Sequence, residues 1–95
     1  MYYTYILYSP TFNKFYIGQT AHLVRRLEQH NTQDKNSFTA KYRPWVLATS
    51  FHVDSRSIAM KIEKYLKKKN RAFIVKVINE QSLRSYIISK YNSHT

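Results

Sequence analysis

Apolar and polar positions change period several times along the chain. Tyr2 to Tyr8 is aromatic or β-branched almost throughout and predicts a strand. Ser9-Pro10-Thr11-Phe12-Asn13 supplies turn residues. Lys14 to Gln19 resumes the strand pattern, so the two runs predict an antiparallel hairpin. From Ala21 to about Asn31 the period becomes helical, with Thr20 as cap. Leu23 and Leu27 mark its apolar stripe, and Arg26 and His30 fall on or beside that stripe, while Arg25, Glu28 and Gln29 point elsewhere. Thr32 to Lys41 has no apolar period and reads as a mobile loop. Pro44 to Val53 predicts a third, largely buried strand. Asp54 or Ser55 would cap a second helix over about Arg56 to Lys69.

In that second helix Ile58, Ile62, Tyr65 and Leu66 form the apolar stripe, and Ala59, Ile62, Glu63 and Leu66 form its flank. Lys61, Lys64, Lys67 and Lys68 lie mostly towards solvent. Glu63 is the only acid in the helix body and falls near the apolar side. Ala72 to Ile78 reads as a strand or a short helix, and Gln81 to Tyr91 as a terminal amphipathic helix. The predicted order is β-β-α-β-α with one or two further C-terminal elements, an α/β chain of the α+β kind. Neither repeat nor linker interrupts it, so residues 1–95 are expected to form one domain.

Charge narrows the partners. Sixteen Lys and Arg face five Asp and Glu, a formal charge of +11. Such an excess points to a polyanion, either nucleic acid or an anionic membrane surface. One glycine in the chain excludes a Gly-rich phosphate loop, and the lack of cysteine excludes disulfides, thiolate zinc sites and cysteine nucleophiles. The first residues have neither the basic start nor the long apolar run of a leader or membrane span. A cytoplasmic location is the expectation.

Phosphodiester hydrolysis needs a base for water, a cation for the crowded phosphate and often a divalent metal. Arg26 offers a permanent charge in a planar fork, although a surface arginine is the commoner role. His30, one turn later, can accept a proton near neutral pH or simply pack. Glu63 is a hard oxygen donor suited to Mg²⁺ or Mn²⁺, or else an i,i+4 partner of Lys67. Asp34 is the weaker competitor for a metal. Gly18 would mark a bulge, a tight exit into the helix, or a close approach of substrate to backbone. Tyr5 and Tyr16, on the two hairpin strands, are two of nine tyrosines, and composition alone gives them no chemistry.

Together these residues resemble the GIY-YIG nuclease superfamily. Tyr16-Ile17-Gly18 stands as its second motif, Arg26 follows that glycine by eight residues, and His30 follows Arg26 by four. Glu63 matches the family's metal-binding glutamate. The first motif is degenerate, with Tyr3-Thr4-Tyr5 in place of Gly-Ile-Tyr, so only Tyr5 carries over. The opening strand, the Gly18-Gln19-Thr20 exit and the basic segment before Pro44-Trp45 are similar to the small single-domain bacterial members, which resemble the catalytic module of structure-selective endonucleases. The resemblance covers residues 2 to about 70.

The resemblance implies a three-stranded antiparallel sheet flanked by helices and single-metal hydrolysis of a DNA phosphodiester, structure-selective or weakly specific, in repair or recombination. Glu63 would hold one Mg²⁺ or Mn²⁺, Tyr5 or His30 would activate water, Tyr16 would orient, and Arg26 would stabilise charge. Lys14, Gly18, Arg25, Lys41, Arg43 and Lys67 are the expected nucleic-acid contacts, and Phe38 and Trp45 are candidates to stack on bases, with the core as the commoner place for Trp45. A non-catalytic nucleic-acid-binding module on the same fold is the alternative. A membrane-surface role for the Lys-rich helix is weaker, because that helix lacks a Trp/Phe-rich outer face. Nucleic acid, with DNA favoured, is the expected partner, no membrane is expected, and a protein partner could supply specificity. Tyr86 and Tyr91 leave a monomer or a weak dimer open.

Overall fold

A computed structural model describes residues 1–32 and 37–92. Its elements are β1 (Tyr2–Ser9), β2 (Lys14–Thr20), α1 (Leu23–Thr32), α2 (Phe38–Lys41), β3 (Val46–Val53), α3 (Arg56–Lys67), α4 (Arg71–Asn79) and α5 (Gln81–Asn92). The strands form one antiparallel sheet in the order β2-β1-β3. This is the predicted three-stranded sheet with flanking helices.

β1 is central, and its residues Thr4 to Leu7 are buried without a break. A strand covered on both faces loses its polar alternation. Ile6 packs with Phe51, Val53, Ala59, Ile62, Leu66, Ile74, Val77 and Ile87, which places α3, α4 and α5 on one face of the sheet. The other face carries Tyr5, Leu7 and Trp45, covered by Tyr16, Leu23, Leu27 and Tyr42. Thr4 belongs to the first face, where its hydroxyl donates to the Ala59 carbonyl at 2.6 Å.

β3 departs from expectation. It was expected to be largely buried, but only Phe51 and Val53 are, while Val46 and Leu47 are 48% and 40% exposed. Hydrophobicity does not report sheet position: β3 is an edge strand, with no strand on its outer side among the described residues. Its register against β1 shifts between Ile6 and Leu7. The strand begins at Val46 instead of Pro44.

The helix boundaries follow local polar contacts. Thr20 stays in β2 opposite Tyr3, and its hydroxyl accepts from the His22 N–H at 3.0 Å. It therefore shapes the entry instead of capping α1, whose first turn closes with Arg26 N–H on the His22 carbonyl at 2.9 Å. Ser37 caps α2, inside the stretch read as a loop, by accepting from Ala40 N–H at 3.3 Å. Ser55 caps α3 by accepting from Ile58 N–H at 3.1 Å. Asn70 does the same for α4 through Phe73 N–H at 2.9 Å, which resolves that segment as helix. On α3 the flank Ala59, Ile62 and Leu66 is fully buried, with Ile58 and Tyr65 partly so.

The β1–β2 turn is anchored from a distance. Asn13 takes a left-handed conformation, φ 55°, which asparagine tolerates. Its carbonyl accepts from Arg71 Nη1 at 3.1 Å and its side-chain oxygen accepts from Arg71 Nη2 and from the Tyr8 hydroxyl. Among the described residues no helix is long and apolar enough to cross a membrane.

Candidate active site

The site begins with one cross-strand pair. Tyr5 of β1 stands opposite Gly18 of β2. Its ring lies over the glycine so closely that a Cβ there would sit 2.5 Å from the Tyr5 hydroxyl and 2.7 Å from Cζ, with Tyr16 Cε2 at 3.2 Å. Gly18 is the only glycine of the chain because the Tyr5 ring occupies the space of its side chain. Sequence reading offered a bulge, a strand exit or a close approach by substrate; instead Gly18 is buried within β2, and the group that approaches it is Tyr5.

With its ring pinned, the Tyr5 hydroxyl reaches α1. It lies 2.9 Å from His30 Nε2, and both residues are buried, at 2% and 1% exposure. His30 comes from the last turn of α1, on the stripe with Leu23 and Leu27. Tyr16 completes the group, its ring centroid 4.9 Å from that of His30 and 6.4 Å from that of Tyr5. Burial pushes the Tyr5 phenol up from 10.0 to about 12, and the neighbouring Tyr16 adds to this. The Arg26 guanidinium opposes the shift through its charge and a hydrogen bond, and the Glu63 carboxylate reinforces it. Those influences bring residues of β1, β2, α1 and α3 to one phenol.

Arg26 also donates from Nη1 to the Gln29 side-chain oxygen at 3.0 Å, so Gln29, which was expected to point elsewhere, is tied to the site. Glu63 is partly accessible, its side chain 21% exposed, and it pairs with Lys67 Nζ at 2.8 Å. Both sequence readings of Glu63 are thus compatible with its position. Among the described residues no three His, Asp or Glu side chains gather as a metal cage. One carboxylate completed by waters is nevertheless an ordinary magnesium arrangement. Asp34 lies outside the described residues.

Several supporting contacts were not legible in the sequence. Arg43, expected at a phosphate, donates from Nε to the His30 carbonyl at 2.6 Å, and its Nη2 is buried. It fixes the end of α1 instead of reaching outward. Asn31 and Trp45 form a reciprocal pair: Asn31 Nδ2 donates to the Trp45 carbonyl at 3.0 Å and Trp45 N–H to Asn31 Oδ1 at 2.7 Å. The Trp45 indole N–H donates to the Thr39 carbonyl at 2.7 Å. Trp45 is 2% exposed, so it is core and cannot stack on a base; Phe38, at 49%, stays accessible. Lys14, Arg25, Lys41 and Lys67 are exposed. The pocket beside α1 that holds Arg25 also contains His22 and His52. Tyr91 packs partly buried against Tyr65, while Tyr86 is 62% exposed.

A sequence model of the GIY-YIG catalytic domain matches residues 1–79. The chain belongs to the GIY-YIG family. The match runs through α4, beyond the point near residue 70 where the motif resemblance ended. The UPF0213 protein of Bacillus halodurans, solved by solution NMR, is 25% identical and superposes with a TM-score of 0.52 over 82% of this chain and 83% of that one. No curated protein matches the sequence. A GIY-YIG domain is a nuclease-type fold and points to nucleic acid as the ligand. Tyr3 stands where the first motif would have its glycine, and its ring packs edge-on against His52 of β3 at 4.8 Å.

Proposed function

We propose that this GIY-YIG protein is an endonuclease that hydrolyses DNA phosphodiester bonds with one divalent ion, Mg²⁺ or Mn²⁺. The observation that carries the reading is the buried Tyr5–His30 contact at 2.9 Å, with Arg26, Tyr16 and Glu63 disposed around it. A phenol held near 12 has almost no phenolate at neutral pH. Tyr5 takes a proton from water only while it passes its own to His30 Nε2, which is unprotonated in the working tautomer. The pair is the base: the water proton moves to the Tyr5 oxygen and the phenol proton moves to His30. Arg26 meets the charge that builds on the phosphate. Tyr16 orients the phosphate or the water. Glu63 would hold the metal, which polarises the phosphate and the leaving oxygen when bound. Lys67, displaced from Glu63, then faces the nucleic acid with Lys14, Arg25 and Lys41.

Domain size favours recognition of substrate shape over sequence, which fits a cytoplasmic repair or recombination enzyme. Labelled single-stranded, duplex and branched DNAs with Mg²⁺ or Mn²⁺ test the proposal. Wild-type cleavage, with none by folded Glu63→Ala and Arg26→Ala variants that still bind DNA, supports it. Binding without cleavage by the wild type, or equal cleavage by the variants, leaves a non-catalytic binding module instead.

A further inference from the structure

Beyond Tyr16 a run of aromatic rings leads away from the site, and the hydrolysis above makes no use of them. Tyr16 stacks near Phe38, with centroids 6.3 Å apart and planes 28° apart. Phe38 meets Tyr42 at 4.8 Å, and Tyr42 meets Phe12 at 5.4 Å. Phe38 and Phe12 are 49% and 47% exposed. Phe38 is nonetheless fixed: it opens α2, which Ser37 caps and the Trp45 indole holds through the Thr39 carbonyl. Trp45 itself backs the ring, at 6.2 Å.

Cations surround this surface. Lys14 and Lys41 lie 5.0 and 5.5 Å from the Tyr42 ring. Phe38 also lines a groove shared with Lys14, Lys69 and Arg71. Arg71 is hydrogen-bonded to Asn13, whereas Lys14 and Lys69 lie over aromatic rings, Lys69 at 4.6 Å from Tyr65 and 5.3 Å from Phe73, and their ammonium groups supply the charge for a ligand. A half-exposed aromatic ring beside two ammonium groups complements a nucleotide: a base for the ring and phosphates for the lysines. Bases inside a duplex have both faces covered by their neighbours, so only an unpaired base can offer a face. A phenyl ring has no hydrogen-bonding group and reads no sequence.

We infer that Phe38, with Lys14 and Lys69 beside it, is a stacking subsite for an unpaired nucleobase of the strand whose phosphate lies against Tyr16. The inference deepens the nuclease reading and relies on it only for where the strand continues. It is tested by binding without metal, so a protein that never cuts can still confirm it.

The probe is a single-stranded oligonucleotide with 2-aminopurine bases, in chelator, beside a blunt duplex and an abasic oligonucleotide of equal charge. Wild type is expected to quench the 2-aminopurine. Phe38→Ala and the volume-keeping Phe38→Leu should weaken single-strand binding roughly tenfold and abolish the quench, while duplex affinity changes less than about twofold. Phe38→Trp should restore both, and the abasic strand should not distinguish wild type from Phe38→Ala. Melting curves confirm that each variant is folded. Wild-type affinity in both Phe38→Ala and Phe38→Leu overturns the proposal, and so does an equal loss on duplex and abasic DNA, or binding of an acidic peptide at the ring in preference to the oligonucleotide.

Discussion

Replacing Gly18 by alanine adds one methyl group at the most crowded point of the site. The new carbon would meet the Tyr5 hydroxyl at 2.5 Å, Tyr5 Cζ at 2.7 Å and Tyr16 Cε2 at 3.2 Å. A flexible side-chain tip could step aside, but the Tyr5 ring is 2% exposed and held at His30. Overpacking of this kind costs about 1–3 kcal/mol. Alanine recovers roughly 0.5–1 kcal/mol of backbone entropy relative to glycine in a strand. The difference centres on a net loss of about 1 kcal/mol, which lowers Tm by roughly 4–8 °C in a domain of this size. Thermal unfolding followed by circular dichroism measures it. The control is the same substitution in a Tyr5→Leu background, where the Tyr16 ring edge at 3.2 Å is the remaining close neighbour and the penalty should shrink or reverse. An unchanged Tm for Gly18→Ala, or an equal loss with and without the Tyr5 ring, would refute the reasoning that the ring is what requires glycine.

Other expectations follow from the same geometry. Tyr5→Phe keeps the ring and removes the relay, so cleavage should fall about 10²-fold or more while metal-free DNA binding is kept; cleavage within a few-fold of wild type would remove Tyr5 from the proton path. Folding raises the Tyr5 pKa from 10.0 to about 12, so the folded state holds this proton more tightly, and the resulting stability is complete below pH about 10 and lost as pH rises through about 12. A phenolate absorbance titration should show one tyrosine ionising last, and Tyr5→Phe should lack it. Lys67→Met removes an exposed i,i+4 pair worth a few tenths of a kcal/mol, so Tm should scarcely move, whereas half-maximal cleavage should need less metal. Ser55→Ala deletes the α3 cap and should cost about 1 kcal/mol by denaturant unfolding, with no effect on metal demand.

Periodicity made β1, β2, α1 and α3 legible, because each has one dominant face. It also placed Arg26 and His30 on the inner stripe of α1 and Glu63 on the flank of α3, which is where the structure has them. Three features were hidden for physical reasons. The edge position of β3 depends on which strand pairs outside it, and composition is silent about that. α2 spans only Phe38–Lys41 and is held by the Trp45 indole, a side-chain contact that periodicity does not report. α4 is rich in β-branched residues, Ile74, Val75, Val77 and Ile78, and its helical state is fixed by the Asn70 cap and by burial of Ile74 and Val77. In the site, the pairing of Tyr5 with Gly18 needed the strand register, and the hold of Arg43 on the His30 carbonyl joins residues that no motif relates.

The reciprocal clasp between Asn31 and Trp45 separates the geometry of the Tyr5–Tyr16–His30 cluster from the length of chain between them. Tyr5, Tyr16, Arg26 and His30 all precede the clasp, and the chain re-enters the sheet directly after it. The clasp fixes both ends of the interval from Asn31 to Trp45, so added residues within it enlarge a closed span, and the entropic cost of such growth rises only slowly with length. This interval is thus a natural grafting point. A lineage, or an engineer, can append an arm there while the Tyr5–His30 contact keeps its dimensions.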